Sequence, residues 1–124
     1  MGPTDAVADN EVVLRHIPGG TTRQAPPSGR ASSFNFRPRP GESGVSVSRA
    51  ALTAAADLLA RLGDTAKGSR VAAASVADIR ALGLDVVPAP LDEDAGHAEI
   101  RSATADLEEK EVQRRLSKVF LYVI

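Results

Sequence analysis

The chain has no cysteine and no tryptophan, and its 124 residues include only three Phe and one Tyr. Without cysteine there is no disulfide, no thiolate nucleophile and no zinc or iron–sulfur site built on cysteine ligands. Because aromatic rings are so few, aliphatic side chains have to fill the core. A chain of this length can bury one modest core, which predicts a single domain.

Long apolar runs are also missing. No run approaches the ~20 residues that cross a bilayer. Residues 1–10 lack the basic and apolar regions of a signal peptide, so we expect a cytoplasmic protein. They also lack hydrophobic periodicity, which predicts a disordered tail over 1–10 and one domain over 11–124.

Charge is small in total but unevenly placed. The formal net charge is −1. Residues 11–50 hold six Arg against two Glu, a balance of +4, whereas residues 51–124 hold nine Lys or Arg against twelve Asp or Glu, a balance of −3. The first region could therefore face an anion, or its arginines could simply be scattered over a solvated surface.

Short β-type patterns alternate with helical ones. Residues 12–17 form a β-branched run that ends at Pro18, and residues 45–48 alternate Val and Ser. Residues 33–37 alternate in the same way, which predicts a strand with Phe34 and Phe36 on one face.

Helical patterns follow. Residues 50–62 carry an Ala/Leu stripe, and Ser75 with Asp78 forms the start signal of another helix. The order of elements predicts an α+β fold with a small mixed, mostly antiparallel sheet and about three helices.

Three local patterns could hold an ion, and each has a more ordinary explanation. His16 and His97 have no metal-ligand spacing, and residues 18–23 (PGGTTR) do not match a phosphate-binding loop. The acidic run at residues 92–94 lacks the order of a calcium loop, so a solvated turn explains it better. We predict no metal site.

One constellation spans the chain: Arg15, then Ser46-Val47-Ser48, then Glu99. This order resembles ADP-ribosyltransferase-like domains. The resemblance implies that Arg15 and Ser46 hold NAD and that Glu99 stabilises the charge that develops on the ribose. Val47 and His97 depart from the usual pattern. The same residues also fit ordinary positions on a strand surface, with Ser48 as a helix N-cap.

A second resemblance covers roughly residues 12–102. The segments LRHIP, SSFNFRP, GESGVSVSR, DIRALGLDVVPAPL and GHAEI follow one another in this order. Together they resemble a family of small bacterial proteins of unknown function. The resemblance implies a stand-alone domain and supplies no activity.

The leading prediction is a non-enzymatic module that binds a protein partner or itself, without a cofactor. The chain lacks a strong catalytic motif and ends in the apolar sequence FLYVI. Candidate binding residues are Arg37, Arg39, Phe120, Leu121 and Tyr122. A nucleic-acid-binding accessory protein is a further alternative, which requires a Phe ring facing outward. The alternation of residues 33–37 argues for inward rings.

Overall fold

Strands and helices alternate along the part of the chain that the structure, a computed structural model, describes: residues 2–19, 24–25 (backbone), 30–62 and 68–124. The strands are β1 (Val12–Ile17), β2 (Gln24–Ala25), β3 (Arg30–Ala31), β4 (Val45–Arg49), β5 (Arg70–Ser75), β6 (Asp85–Pro88), β7 (His97–Arg101) and β8 (Leu121–Tyr122). The helices are α1 (Ala55–Leu62), α2 (Val76–Ala81) and α3 (Lys110–Val119), with a 3₁₀ helix over Ser33–Phe36.

Six of these strands form one sheet in the order β6-β7-β4-β1-β5-β8, and β2 pairs with β3 in a separate ladder. Each described ladder is antiparallel. The predicted α+β class with a mostly antiparallel sheet and three α-helices is confirmed. Among the described residues, no helix is both long and apolar enough to span a bilayer.

The two faces of the sheet are covered differently. One face, the core face, packs against α2, α3 and the 3₁₀ helix, and at its centre the rings of Phe36 and Phe120 lie 4.8 Å apart. The other face, the α1 face, buries a smaller cluster of Leu14, Leu58 and Val71. Because strand side chains alternate, each strand contributes to both faces.

The predicted strand over residues 33–37 is wrong. Ser33–Phe36 is a 3₁₀ helix in which Phe36 is fully buried and Phe34 is 45% exposed. Residues two apart share a face in a strand, but they diverge in a helix of about three residues per turn. Burial of Phe36 against Phe120 therefore turns Phe34 outward.

The N-terminal segment, predicted to be a loose tail, packs against the domain. Val7 is 4% exposed. The Arg49 guanidinium donates to the Asp5 carbonyl oxygen (2.8 Å), and Arg80 forms an ion pair with Asp9 (2.6 Å). A buried cation needs acceptors, and backbone carbonyls of this segment supply some of them.

The sequence signals predict the start of α2 correctly and place the start of α1 five residues too early. Ser75 caps α2 and accepts from the Asp78 N–H (3.1 Å), as predicted. The helix predicted from Ala50 begins only at Ala55, because the N–H groups of Leu52 and Thr53 bond back to the Arg49 carbonyl in a turn. Gly96 packs against this turn, where a Cβ would lie 2.5 Å from Thr53 Oγ1.

Candidate ligand-binding site

The candidate site lies where β1 and β4 separate. The two strands share only the pairs Val13↔Arg49 and Leu14↔Ser48. Beyond them β1 continues along β5 as far as Ile17, while β4 pairs with β7. We call the resulting gap the β1–β4 wedge.

Arg15 bridges this wedge. Its Nε donates to the Asn35 carbonyl (3.0 Å) and its Nη1 to the Ser46 carbonyl (2.6 Å). The hydrogen bonds of the Arg15 side chain thus connect the two strands beyond the last backbone pair, Leu14↔Ser48. The residue is only 7% exposed.

Arg15 has no acidic partner: both acceptors are neutral, and no carboxylate among the described residues lies within ion-pair distance. Burial, followed by the nearby Arg39 charge, lowers the pKa of Arg15 to about 10, while Glu42 acts in the opposite direction. Arg15 therefore stays charged at neutral pH without an ion pair to any described carboxylate.

Two cavities open beside the wedge, with volumes of about 250 Å³ and about 180 Å³. Both are lined by Arg15, His16 and Arg39. We call them the larger and the smaller cavity. The larger is also lined by Leu14, Glu42, Ser46, Val47, Ser48, Leu58, Arg61, Leu62, Leu91, Glu93, Asp94 and His97.

None of the described residues that line the smaller cavity is acidic. Besides the shared residues they are Pro18, Phe34, Asn35, Arg37, Pro38 and Pro40. The Arg37 guanidinium lies 4.2 Å from the centre of the Phe34 ring. Both Arg37 and Arg39 are exposed. Three guanidinium groups with rigid proline walls make a site suited to an anionic group.

The wall of the larger cavity is built around Asp94. Its carboxylate accepts from Ser48 Oγ (2.6 Å), Thr53 Oγ1 (2.5 Å) and the Gly96 N–H (3.0 Å), and Arg61 lies 3.3 Å away. Burial raises the pKa of Asp94, but the hydrogen bonds and the Arg61 charge together lower it by more. Asp94 is 5% exposed, so the predicted solvated turn is wrong for this residue.

Both histidines line the larger cavity. His16 Nε2 is buried and has no hydrogen-bond partner in the part of the chain that the structure describes. Burial, followed by the Arg39 and Arg15 charges, lowers the pKa of His16, so its ring is neutral near pH 7. His97 Nδ1 lies 2.8 Å from the Ala89 carbonyl. A carbonyl can only accept, so Nδ1 carries a proton and Nε2 is left for another partner.

Arg15 and Glu99 do not share a face of the sheet, although Arg15 Nη1 donates to the carbonyl of Ser46. Ser46 and Glu99 are cross-strand neighbours. However, Ala98 and Ile100, which flank Glu99, point to the core face, so Glu99 points to the α1 face. Arg15 has the parity of the core residues on β1. Glu99 pairs instead with Arg101 (3.1 Å), and Ser46 Oγ donates to Glu42 (3.1 Å).

The three C-terminal candidates for partner binding, Phe120, Leu121 and Tyr122, differ in how far they are exposed. Phe120 is fully buried and cannot contact a partner, because it packs on Phe36. Leu121 is 52% exposed, whereas Tyr122 is half-buried under the Arg70 guanidinium at 3.8 Å. Residues 20–23 belong to segment 18–23, which was compared with a phosphate-binding loop, and they lie outside the described part of the chain.

Several lining residues carry no local sequence signal. Asp94 and Ser48 are 46 residues apart, and Arg15 and Ser46 are 31 apart.

Among the described residues, no group of three or more His, Asp or Glu could hold a metal ion. No family model, curated protein or solved structure matches the chain.

Proposed function

We propose that this chain is a non-enzymatic binding module that captures an acidic segment of a partner protein at the smaller cavity. The observation that carries the proposal is the buried Arg15, which forms no ion pair with a described carboxylate and lies beside a cavity whose described lining has no acidic group. An incoming carboxylate would supply a counter-charge in direct contact with Arg15.

The residues that line the smaller cavity also favour an acidic peptide over a small carboxylic acid. Arg37 and Arg39 are exposed and can receive further carboxylates at the rim. Pro18, Pro38 and the ring of Phe34 add apolar surface for a neighbouring side chain. Such a surface combines charge-assisted hydrogen bonds with rigid apolar walls, a usual way to hold an acidic motif.

A nucleic acid fits this surface less well, although Phe34 faces outward. A cavity of about 180 Å³ holds one or two groups and not a nucleotide chain. The exposed Glu42 and Glu93 lie close by, on the larger cavity, and repel an extended phosphate backbone. An NAD-handling enzyme would need Arg15 and Glu99 on one face of the sheet.

The experiment is a fluorescence-polarisation titration with labelled peptides rich in Asp and Glu around one Leu or Phe, and with Asn/Gln counterparts. We expect saturable binding of the acidic peptides only, weakening as salt rises. The double variant Arg37→Gln/Arg39→Gln should weaken it about tenfold or more, since charged hydrogen bonds are lost.

The matched control removes two arginines from a distant surface. Arg114 and Arg115 on α3 are exposed and pair with Glu111. Arg114→Gln/Arg115→Gln should leave binding unchanged. Equal loss in both double variants would reduce the effect to net charge, and preferential binding of a short single-stranded RNA would favour the nucleic-acid alternative. Either outcome overturns the proposal.

Self-association is a second candidate, favoured by the exposed apolar side chains Leu121 (52%), Val123 (49%) and Ile124 (42%) at the β8 edge of the sheet. Apolar edge strands are sites of pairing between chains. Analytical ultracentrifugation should then show an oligomer that Leu121→Lys/Val123→Lys dissociates. A monomer at all concentrations contradicts this candidate.

A further inference from the structure

The larger cavity differs from the smaller one in both charge and shape. Arg15, Arg39 and Arg61 line it together with an equal number of acids, Glu42, Glu93 and Asp94. Asp94 is already saturated by hydrogen bonds from the protein. Two of the three acids therefore remain for a ligand. Glu93 is exposed, and among the described residues the Glu42 carboxylate accepts one hydrogen bond, from Ser46 Oγ.

One part of the lining is apolar. Leu14 and Leu58 are buried against each other on the α1 face, and Leu62 and Leu91 are exposed at 46% and 43%. These side chains present aliphatic surface next to the charged rim. A ligand with an apolar body would cover the two exposed leucines and gain burial.

The cavity volume of about 250 Å³ lies just below the range of roughly 300–1,000 Å³ that is typical of pockets for drug-sized ligands. This space suits a molecule of amino-acid size. The wall is also fixed in place, because Asp94 ties β4, the turn before α1 and the 91–96 turn together.

We infer that the larger cavity binds a small zwitterion with an apolar body, of the class of a free α-amino acid with a large aliphatic or aromatic side chain. Its carboxylate would meet Arg39, and its ammonium would meet Glu42 and Glu93. Its side chain would lie on Leu58 and Leu62. This ligand differs from the acidic peptide of the proposed function, and the two cavities overlap at Arg15, His16 and Arg39.

His16 lines the cavity, but its Nε2 is buried and has no hydrogen-bond partner among the described residues. Leaving a buried polar atom unsatisfied is costly. Replacement by an apolar ring of similar size, His16→Phe, should therefore preserve or raise the melting temperature of the unliganded protein.

The test is a chemical-shift titration of the full ¹⁵N-labelled chain with L-leucine and L-phenylalanine. Three analogues each remove one feature: 4-methylpentanoate lacks the ammonium, isopentylamine lacks the carboxylate and glycine lacks the apolar body. We expect saturation with the two amino acids and binding weaker by about tenfold or more for each analogue.

A pair of variants assigns the ammonium site. Glu42→Gln/Glu93→Gln should weaken L-leucine about tenfold or more and leave 4-methylpentanoate unchanged. The control Glu108→Gln/Glu109→Gln removes two exposed acids elsewhere and should have no effect. Equal affinity for leucine and 4-methylpentanoate, or no saturation of leucine up to about 10 mM, would overturn the inference.

Arg37 separates this inference from the proposed function, because it lines only the smaller cavity. Arg37→Gln should weaken the acidic peptide and leave L-leucine unchanged. Conversely, Glu42→Gln/Glu93→Gln should weaken L-leucine without weakening the peptide. Loss of both ligands in either variant would contradict two separate sites.

Discussion

Arg15 and Arg49 lie on neighbouring strands of one sheet and both are buried, but of the two only Arg49 has an acidic partner among the described residues. Arg49 Nε and Nη2 donate to the two carboxylate oxygens of Glu11, each at 2.8 Å. The described acceptors of Arg15 are the carbonyl oxygens of Asn35 and Ser46. Arg49 thus holds the N-terminal segment in place, whereas Arg15 is the guanidinium that we propose meets a ligand.

The largest expected effect breaks the paired arginine. Glu11→Ala leaves the fully buried Arg49 without a counter-charge, so we expect a loss of about 3–5 kcal/mol in the free energy of unfolding. Urea denaturation measures it. The control Asp9→Ala removes a 74% exposed partner of Arg80 and should change stability by less than about 1 kcal/mol. If both variants lost similarly little stability, burial would not distinguish the Arg49–Glu11 pair from the Arg80–Asp9 pair.

The position of the Arg15 guanidinium depends on the 3₁₀ helix over Ser33–Phe36. Asn35, whose carbonyl accepts from Arg15, is adjacent to Phe36, which anchors the helix in the core. Phe36→Ala should destabilise the fold by about 3–5 kcal/mol through lost burial and a cavity. Thermal unfolding tests this, with exposed Phe34→Ala as the control. A variant that melts near the wild-type temperature would place Phe36 outside the core.

A smaller stability effect is expected at the unpaired arginine. Arg15→Met removes a buried charge but also the two hydrogen bonds to the Asn35 and Ser46 carbonyls, so we expect a loss of about 1–3 kcal/mol in the free energy of unfolding. Binding of the acidic peptide should nevertheless fall about tenfold or more. Denaturation and peptide titration of the same sample give both values. A loss as large as that of Glu11→Ala would mean that Arg15 is structural.

The smallest effect is a pH dependence from His16. Its pKa is lowered in the folded state from an ordinary value of 6.5, so the unfolded chain takes up the proton first as pH falls. This contribution to stability is complete above about pH 6.5 and is lost below it, down to the folded pKa. Denaturation between about pH 7.5 and 5.5 should show a smaller slope for His16→Phe than for wild type. Identical slopes would contradict a neutral, buried His16.

Features that depend on neighbouring residues could be predicted from the sequence. The Ser75 cap bonds to Asp78 three residues later, and β4 buries Val45 and Val47 as the alternation of residues 45–48 predicts. The class of the fold follows from such signals. Residues 33–37 were misassigned because F-N-F fits a strand and a 3₁₀ turn equally well, and only the distant Phe120 decides between them.

The site itself was less predictable. Arg37 and Arg39 were singled out from charge alone, and they line the smaller cavity. The role of Arg15 in bridging the wedge depends on where β1 and β4 separate, which no local pattern encodes. Likewise, the burial of Asp94 depends on Ser48 and Thr53, more than forty residues away.

The most direct test observes the two buried arginines together. In the protein labelled at arginine Nε, we would follow the Arg15 and Arg49 Nε–H signals while adding the acidic peptide, and then its Asn/Gln counterpart. The account predicts a saturable shift of the Arg15 signal with the acidic peptide only, while the Arg49 signal stays in place. An unmoved Arg15 signal, or equal shifts of both, would contradict it.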